Sequence, residues 1–312
     1  MTADKNVGIM FPGQGSQRSG MGRDLAESWA DAMQAWKMGE HISGRPLREI
    51  YWEGEEKDMA DTASLQPALF IVDTVTWLYL RSKIDTVSAA AGHSLGEYCA
   101  LCAAGVLDFK HCLEIVCLRG RLMADAGIGQ NGSMAAILKL NEDQVRDLVQ
   151  EVHEETGREI LIANYNTPRQ LVVSGDDMAV DAATKKAMDK KGRSVILPVS
   201  GAFHTPMMQE AADELAGYMD KKDWNPPEFP VFFNATAGPE PDPEKIRKIM
   251  HKQMVSSVYW NQLVQNMHEY GVHTFLELGP RGVLSRMVGQ ILGTDGEFET
   301  KCIESLEDMD SF

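Results

Sequence analysis

Apolar residues in this chain fall into runs of two lengths. Short runs, Val7 to Phe11, Val87 to Ala91, Val231 to Phe233 and Thr274 to Leu278, read as strands buried on both faces. Longer stretches between them carry apolar residues every three or four positions. In Thr62 to Leu80, residues Ala68, Ile71, Val72, Val75 and Leu78 form one helical face, and Pro67 is placed in the first turn, where its missing N–H costs nothing. Asp24 to Trp36, Phe109 to Ala124, Met207 to Met219, Val264 to Tyr270 and Val283 to Leu292 also read as helices. Residues 39–61 read as polar and irregular, and the tail beyond Leu292 as acidic and weakly patterned.

The middle of the chain changes rhythm. Strands at Met134 to Leu138, Ile160 to Asn164, Gln170 to Ser174 and Ser194 to Val199 alternate with a helix capped by Asn141 and a polar helix from Met178 to Lys191. The order β-α-β-β-α-β is that of the ferredoxin-like split unit, whose ends lie close together and suit insertion. The expected fold is therefore α/β: an α/β-hydrolase-like large subdomain with a mostly parallel sheet, in two parts at 1–129 and 198–312, and an inserted ferredoxin-like small subdomain at 130–197. The cleft between the two is where a ligand belongs.

The 312 residues are enough for more than one lobe. No apolar run reaches the roughly 18 residues of a membrane span. The N-terminus lacks the basic-then-apolar pattern of a secretory signal. The net charge of −16 argues against nucleic acid and against an anionic membrane as partners. Five cysteines, an odd number, sit mostly in apolar helical company. They read as buried thiols in a reducing cytoplasm rather than as a metal site, and this includes the Cys99–Cys102 pair.

The chemistry gathers at Val87 to Leu101. A small-residue strand runs into Gly92, His93, Ser94, Leu95 and Gly96, and a helix follows. Gly-x-Ser-x-Gly in that context is a nucleophile elbow, with glycines where the strand and helix backbones come too close for a Cβ. Phe11 leads into a glycine-rich loop that brings backbone N–H groups and the Gln14 amide towards a site. His204, between a strand end and a helix start, is the candidate base, while His93 should point away from the nucleophile. No acid near His204 completes a triad. Position alone makes Gln66 a surface amide and Arg119 a solvated helical arginine, with Gly120 beside it a sign of close packing.

Taken in order, Phe11-Pro12-Gly13-Gln14-Gly15-Ser16-Gln17, Gln66-Pro67-Ala68, Gly92-His93-Ser94-Leu95-Gly96-Glu97, Arg119-Gly120, Phe203-His204, Gln253 and Glu277-Leu278-Gly279-Pro280 resemble one family. It is the malonyl-CoA:acyl-carrier-protein transacylases of fatty acid synthesis, with the related acyltransferase domains of polyketide synthases. The resemblance spans residues 6–304. It implies Ser94 as nucleophile, His204 as base, and the main-chain carbonyl of Gln253 in place of the missing acid. It further implies the backbone N–H groups of Gln14 and Leu95 as oxyanion hole, and Arg119, Gln66 and Phe203 around the substrate. No metal or bound cofactor is implied. The substrate is malonyl-CoA, the partner an acyl carrier protein, and the enzyme a monomer. Carrier-protein docking would need a local basic patch on this acidic chain, and Arg121, Lys139, Arg169, Lys190 and Arg281 are candidates by nearness in sequence. Thr205 departs from the family's commoner serine, as a change on the rim. Four alternatives remain at this point: the acyltransferase subunit of a malonate decarboxylase, a discrete polyketide synthase acyltransferase, a thioesterase or hydrolase on the same elbow, and a non-catalytic binding module.

Overall fold

The structure is a computed structural model describing residues 6–129, 131–293 and 297–312. Residues 1–5, on which the expected lack of a secretory pattern partly rests, and residue 130, the expected start of the small subdomain, lie outside the described residues. The strands are β1 (Val7–Phe11), β2 (Val87–Gly92), β3 (Gly132–Leu138), β4 (Ile160–Thr167), β5 (Gln170–Asp176), β6 (Arg193–Ile196), β7 (Val231–Phe232), β8 (Thr274–Leu278) and β9 (Glu299–Ile303). The helices are α1 (Arg23–Ser28), α2 (Ala30–Ser43), α3 (Thr62–Leu80), α4 (Gly96–Ala103), α5 (Phe109–Gly127), α6 (Glu142–Thr156), α7 (Asp177–Asp189), α8 (Gln209–Met219), α9 (Pro243–His251), α10 (Trp260–Glu269), α11 (Val283–Leu292) and α12 (Leu306–Asp310).

Five strands form a parallel sheet in the order β7-β2-β1-β8-β9. Successive residues of β1 point to opposite faces. Ile9 and Phe11 join a core with Leu69, Leu101 and Val116, while Met10 joins another with Trp260, Leu263 and Val288. Burial on both faces is why these strands are apolar throughout. The other sheet is antiparallel in the order β4-β5-β3-β6. Its Ala135, Ile137 and Val173 pack with Val145, Leu148 and Val180 of α6 and α7. Met134, Ala136 and Val172, on the other face, join the core of the parallel sheet. The small sheet thus lies with one side against the large one, and the cleft forms there. The α/β class and the pairing of a parallel sheet with a smaller antiparallel one agree with expectation.

Several local expectations need correction. Pro67 is not in the first turn of α3. Asp61 caps the helix, its carboxylate accepting the Ser64 N–H at 3.1 Å, so the helix begins at Thr62 and Pro67 lies a turn further in. The helix expected from Asp24 to Trp36 is broken at Trp29, which is extended (φ −128°, ψ 119°). Residues 39–61 are not irregular: α2 runs on to Ser43, and single helical turns follow at Glu49–Glu53 and Glu56–Ala60, with Leu47, Tyr51 and Met59 buried. The tail contains β9, an edge strand on β8. All five cysteines are free, and Cys99, Cys112 and Cys117 are buried. Among the described residues no helix is long and apolar enough to cross a membrane.

Candidate active site

Parallel strands bring their carboxyl ends to one edge, and in α/β folds ligands bind outside that edge. The loop after β1 holds Gln14, β2 runs into Ser94, and β7 is followed closely by Asn234. A Cβ on Gly92 would lie 1.9 Å from the Gly96 carbonyl carbon, and one on Gly96 would lie 2.1 Å from the Phe11 oxygen. Glycine at both positions is what lets strand, turn and helix meet. Ser94 itself has φ 50°, a strained value for a residue with a side chain. Asn234 pins this turn from both sides: its Oδ1 accepts the Ser94 N–H at 2.7 Å and its Nδ2 donates to the Gly92 carbonyl at 2.7 Å.

His204 also has positive φ (60°) and places Nε2 2.8 Å from Ser94 Oγ. Its Nδ1 is 3.0 Å from the Ser256 carbonyl and 3.2 Å from that of Gln253. Carbonyls only accept, so Nδ1 carries the proton and Nε2 is left bare towards the serine hydroxyl. Burial, then the charge of Arg119 and the neighbouring His93, push the imidazole down to about 3, against the pull of the two carbonyls. His204 is therefore neutral at physiological pH.

Arg119 is buried, which corrects its reading as a solvated arginine. Gly120 makes this possible, since a Cβ there would be 3.0 Å from the Thr62 carbonyl of α3. The guanidinium donates from Nη1 to Gln66 Oε1 at 2.7 Å, from Nη2 to Gln253 Oε1 at 3.0 Å, and from Nη2 to Ser94 Oγ at 3.1 Å. Burial lowers its proton affinity, but a guanidinium stays charged. Gln66 is likewise buried, not the surface amide that its position suggests. Gln253 Nε2 donates to the Ser94 carbonyl at 2.7 Å and to Glu97 Oε2 at 2.8 Å. Ser94, His204, Arg119, Gln66 and Gln253 thus form one connected set.

These groups open on a cleft of about 240 Å³ that is also lined by Gln14, Leu95 and Phe203. Neither the Gln14 nor the Leu95 backbone N–H has a protein acceptor among the described residues. His93 turns its Nε2 to Asn166 Oδ1 at 2.8 Å, away from Ser94 Oγ. Thr205 is not on the rim: it is fully buried, its hydroxyl donating to the Ala202 carbonyl at 2.7 Å. None of Arg121, Lys139, Arg169, Lys190 and Arg281 lines the cleft. Lys190 is paired with Glu151 at 2.8 Å and Arg121 lies 3.9 Å from Glu214. Sequence reasoning missed Asn234 and the Ser256 carbonyl. A polar residue just past the end of the Val-Phe-Phe strand was the one available signal for Asn234; a main-chain oxygen leaves none.

A family model described as acyl transferase domain matches residues 9–303. The chain belongs to the acyl transferase domain family. This acyl transferase is 35% identical over 302 residues to the malonyl CoA-acyl carrier protein transacylase of Synechocystis sp., covering 97% of this chain and 98% of that protein. It superposes on the acyl carrier protein S-malonyltransferase of Vibrio cholerae with a TM-score of 0.90 at 34% identity, covering 98% and 99% of the two chains. A malonyl-transacylase solved in complex with a type II PKS acyl-carrier protein gives 0.91 at 32% identity, covering 98% of each chain. Among the described residues of this acyl transferase, no group of three or more His, Cys, Asp or Glu could hold a metal ion.

Proposed function

We propose that this chain moves a malonyl group from coenzyme A to the phosphopantetheine thiol of an acyl carrier protein, through an ester on Ser94. One observation carries the reading: Ser94 Oγ lies between a neutral imidazole at 2.8 Å and a buried guanidinium at 3.1 Å. In the first half-reaction Ser94 gives its proton to His204 Nε2 as Oγ bonds the thioester carbon. The oxyanion is met by the N–H groups of Gln14 and Leu95. The C–S bond then breaks, and coenzyme A leaves as a thiol with the proton from His204. In the second half the carrier-protein thiol gives its proton to His204 and attacks the ester, and Ser94 recovers the proton. The carbonyls of Gln253 and Ser256 steady the imidazolium that forms in between. The Arg119 fork takes the malonyl carboxylate, with Gln66 holding its other edge.

The complete set of groups within one chain supports a monomer, and the free cysteines support a reducing cytoplasm. We place the small subdomain at 130–197, supported by the antiparallel sheet from Gly132 to Ile196. The likeness to a transacylase that partners a type II PKS carrier protein keeps service to a polyketide pathway as a second reading. Loading rates for a fatty acid carrier protein and a polyketide carrier protein, compared at equal enzyme, would decide between the two pathways.

The test against a hydrolase compares free malonate release with carrier-protein loading at equal enzyme. Loading should dominate, and release of most of the malonyl to water with the carrier protein present would overturn the transferase reading. Phe203 is buried at the cleft wall. Phe203→Ser should raise kcat/KM for methylmalonyl-CoA relative to malonyl-CoA, within the roughly 10–200-fold that one methyl group is worth in an apolar pocket. An unchanged ratio would remove Phe203 from the specificity wall.

A further inference from the structure

Glu97, which ends the Gly-His-Ser-Leu-Gly-Glu motif, touches none of the reacting atoms in the mechanism above. Yet it is fully buried, and both of its oxygens are committed. Oε1 accepts the backbone N–H of Asn234 at 2.6 Å and Oε2 accepts Gln253 Nε2 at 2.8 Å. These two partners reach the site from opposite sides: Asn234 pins the Ser94 turn, while Gln253 Oε1 receives Arg119.

The chemistry of the donors fixes the sense of this chain. A carboxylate only accepts, so the Gln253 amide must turn its NH2 to Glu97 and the Ser94 carbonyl. Its oxygen is thereby held against the guanidinium. Among the described residues no carboxylate pairs with Arg119 directly; its hydrogen-bond partners are two neutral amide oxygens and a hydroxyl, and its guanidinium carbon lies 5.6 Å from the centre of the Tyr98 ring. A carboxylate in direct contact would fill the fork that the substrate needs. One placed behind an amide offsets the buried positive charge and leaves the fork to the incoming ligand. A buried carboxylate is costly to keep, and burial pushes Glu97 up to about 7, against the pull of the Asn234 N–H, the Gln253 amide and the charge on Arg119.

We infer that Glu97 is a positioning residue for substrate selection, which orients the Gln253 amide and through it aims the Arg119 guanidinium at the substrate carboxylate. The inference rests on the reading of Arg119 as the carboxylate's partner. The side chain introduced by Glu97→Gln would match the shape but could accept only one of the two donors. The Asn234 N–H belongs to the backbone and keeps its acceptor, so the new NH2 would face Gln253 Nε2. Two donors would then oppose each other, and the Gln253 amide, still faced by the Ser94 carbonyl and Arg119, would be pushed out of the position that aims the guanidinium.

The experiment measures kcat/KM for malonyl-CoA and acetyl-CoA, with a thermal melt of each variant, for wild type, Glu97→Gln, Arg119→Ala, the double variant, and Gln253→Leu, which keeps the main-chain carbonyl under His204. Glu97→Gln should lower the malonyl-to-acetyl ratio at least tenfold. It should add nothing to the ratio in the Arg119→Ala background, the mark of two residues acting on one interaction. Gln253→Leu should reproduce the loss and carries the test alone if Glu97→Gln does not fold. If Arg119→Ala lowers the ratio but Glu97→Gln and Gln253→Leu leave it at the wild-type value, or slow both thioesters equally, the inference is overturned and the clamp stands. If Arg119→Ala itself keeps the wild-type ratio, the clamp fails and the inference with it.

Discussion

Ser94→Ala should leave no malonyl adduct on the protein. Brief incubation of the wild type with malonyl-CoA, followed by mass spectrometry of the digest, should show one adduct, on Ser94. The competing nucleophiles are cysteines, and the surroundings of Cys99, Cys112, Cys117 and Cys302 disarm these four. Burial, together with nearby negative charge, pushes the thiols of Cys117 and Cys302 up to about 12, and raises Cys99 and Cys112 well above the ordinary range. A thiol is a good nucleophile only as thiolate. The fold should survive the substitution, because alanine and serine carry the same Cβ at φ 50° and the turn is held by backbone bonds to Asn234. His204→Ala should slow formation of the adduct by about 10²–10⁴-fold, the usual worth of a general base. An adduct on any cysteine, or one that persists in Ser94→Ala, would sink the seryl-ester route.

Arg119→Ala should invert the enzyme's preference. Hydrogen bonds to charged groups contribute roughly 1.5–3 kcal/mol each, so losing a two-bonded carboxylate clamp should lower malonyl kcat/KM by about 10²–10⁴-fold. Acetyl-CoA has no carboxylate to lose, and its relative rate should rise. In the wild type, acetyl-CoA leaves a buried guanidinium without its ligand, which penalises it beyond missing contacts. Arg119→Lys should not rescue selectivity, because an ammonium lacks the planar fork. The substitution also strands the carbonyl oxygens of Gln66 and Gln253 in a buried space, so the melting temperature should fall as well. Selectivity is read as the ratio of kcat/KM values for the two thioesters, which a loss of folded enzyme leaves unchanged.

The legible part of the fold was that in which a residue's type records a local demand. Gly92 and Gly96 record the collision of backbones around Ser94, and the unbroken apolar run Val7 to Phe11 records a strand covered on both faces. Strand β9 was not legible because, at the sheet edge, only its last residue is buried. The turns around Tyr51 and Met59 are too short to show a helical period. In the site, position alone misplaces Gln66 and Arg119 on the surface, since what buries them is the close approach of α3 and α5 at Gly120. The Ser256 carbonyl could not be found at all, because a main-chain oxygen is the same in every residue. Glu97 was visible as a letter of a motif, but its partners Asn234 and Gln253 lie far away along the chain.

The arrangement of the two sheets also sets an order in time. In the antiparallel sheet every strand pairs with another from the same short stretch, Gly132 to Ile196. The parallel sheet must instead join Ala90 to Val231 across that whole stretch, and Val7 to Thr274 across almost the entire chain. Closing such loops costs entropy before any contact repays it, so folding slows as pairing becomes more distant in sequence. The small sheet can therefore assemble while the ribosome is still adding residues. The central strand β1, made before the other strands, waits for β8 until the residues up to Leu278 have been added. Its edge is exposed throughout that interval, and the nascent chain is most open to misassociation there.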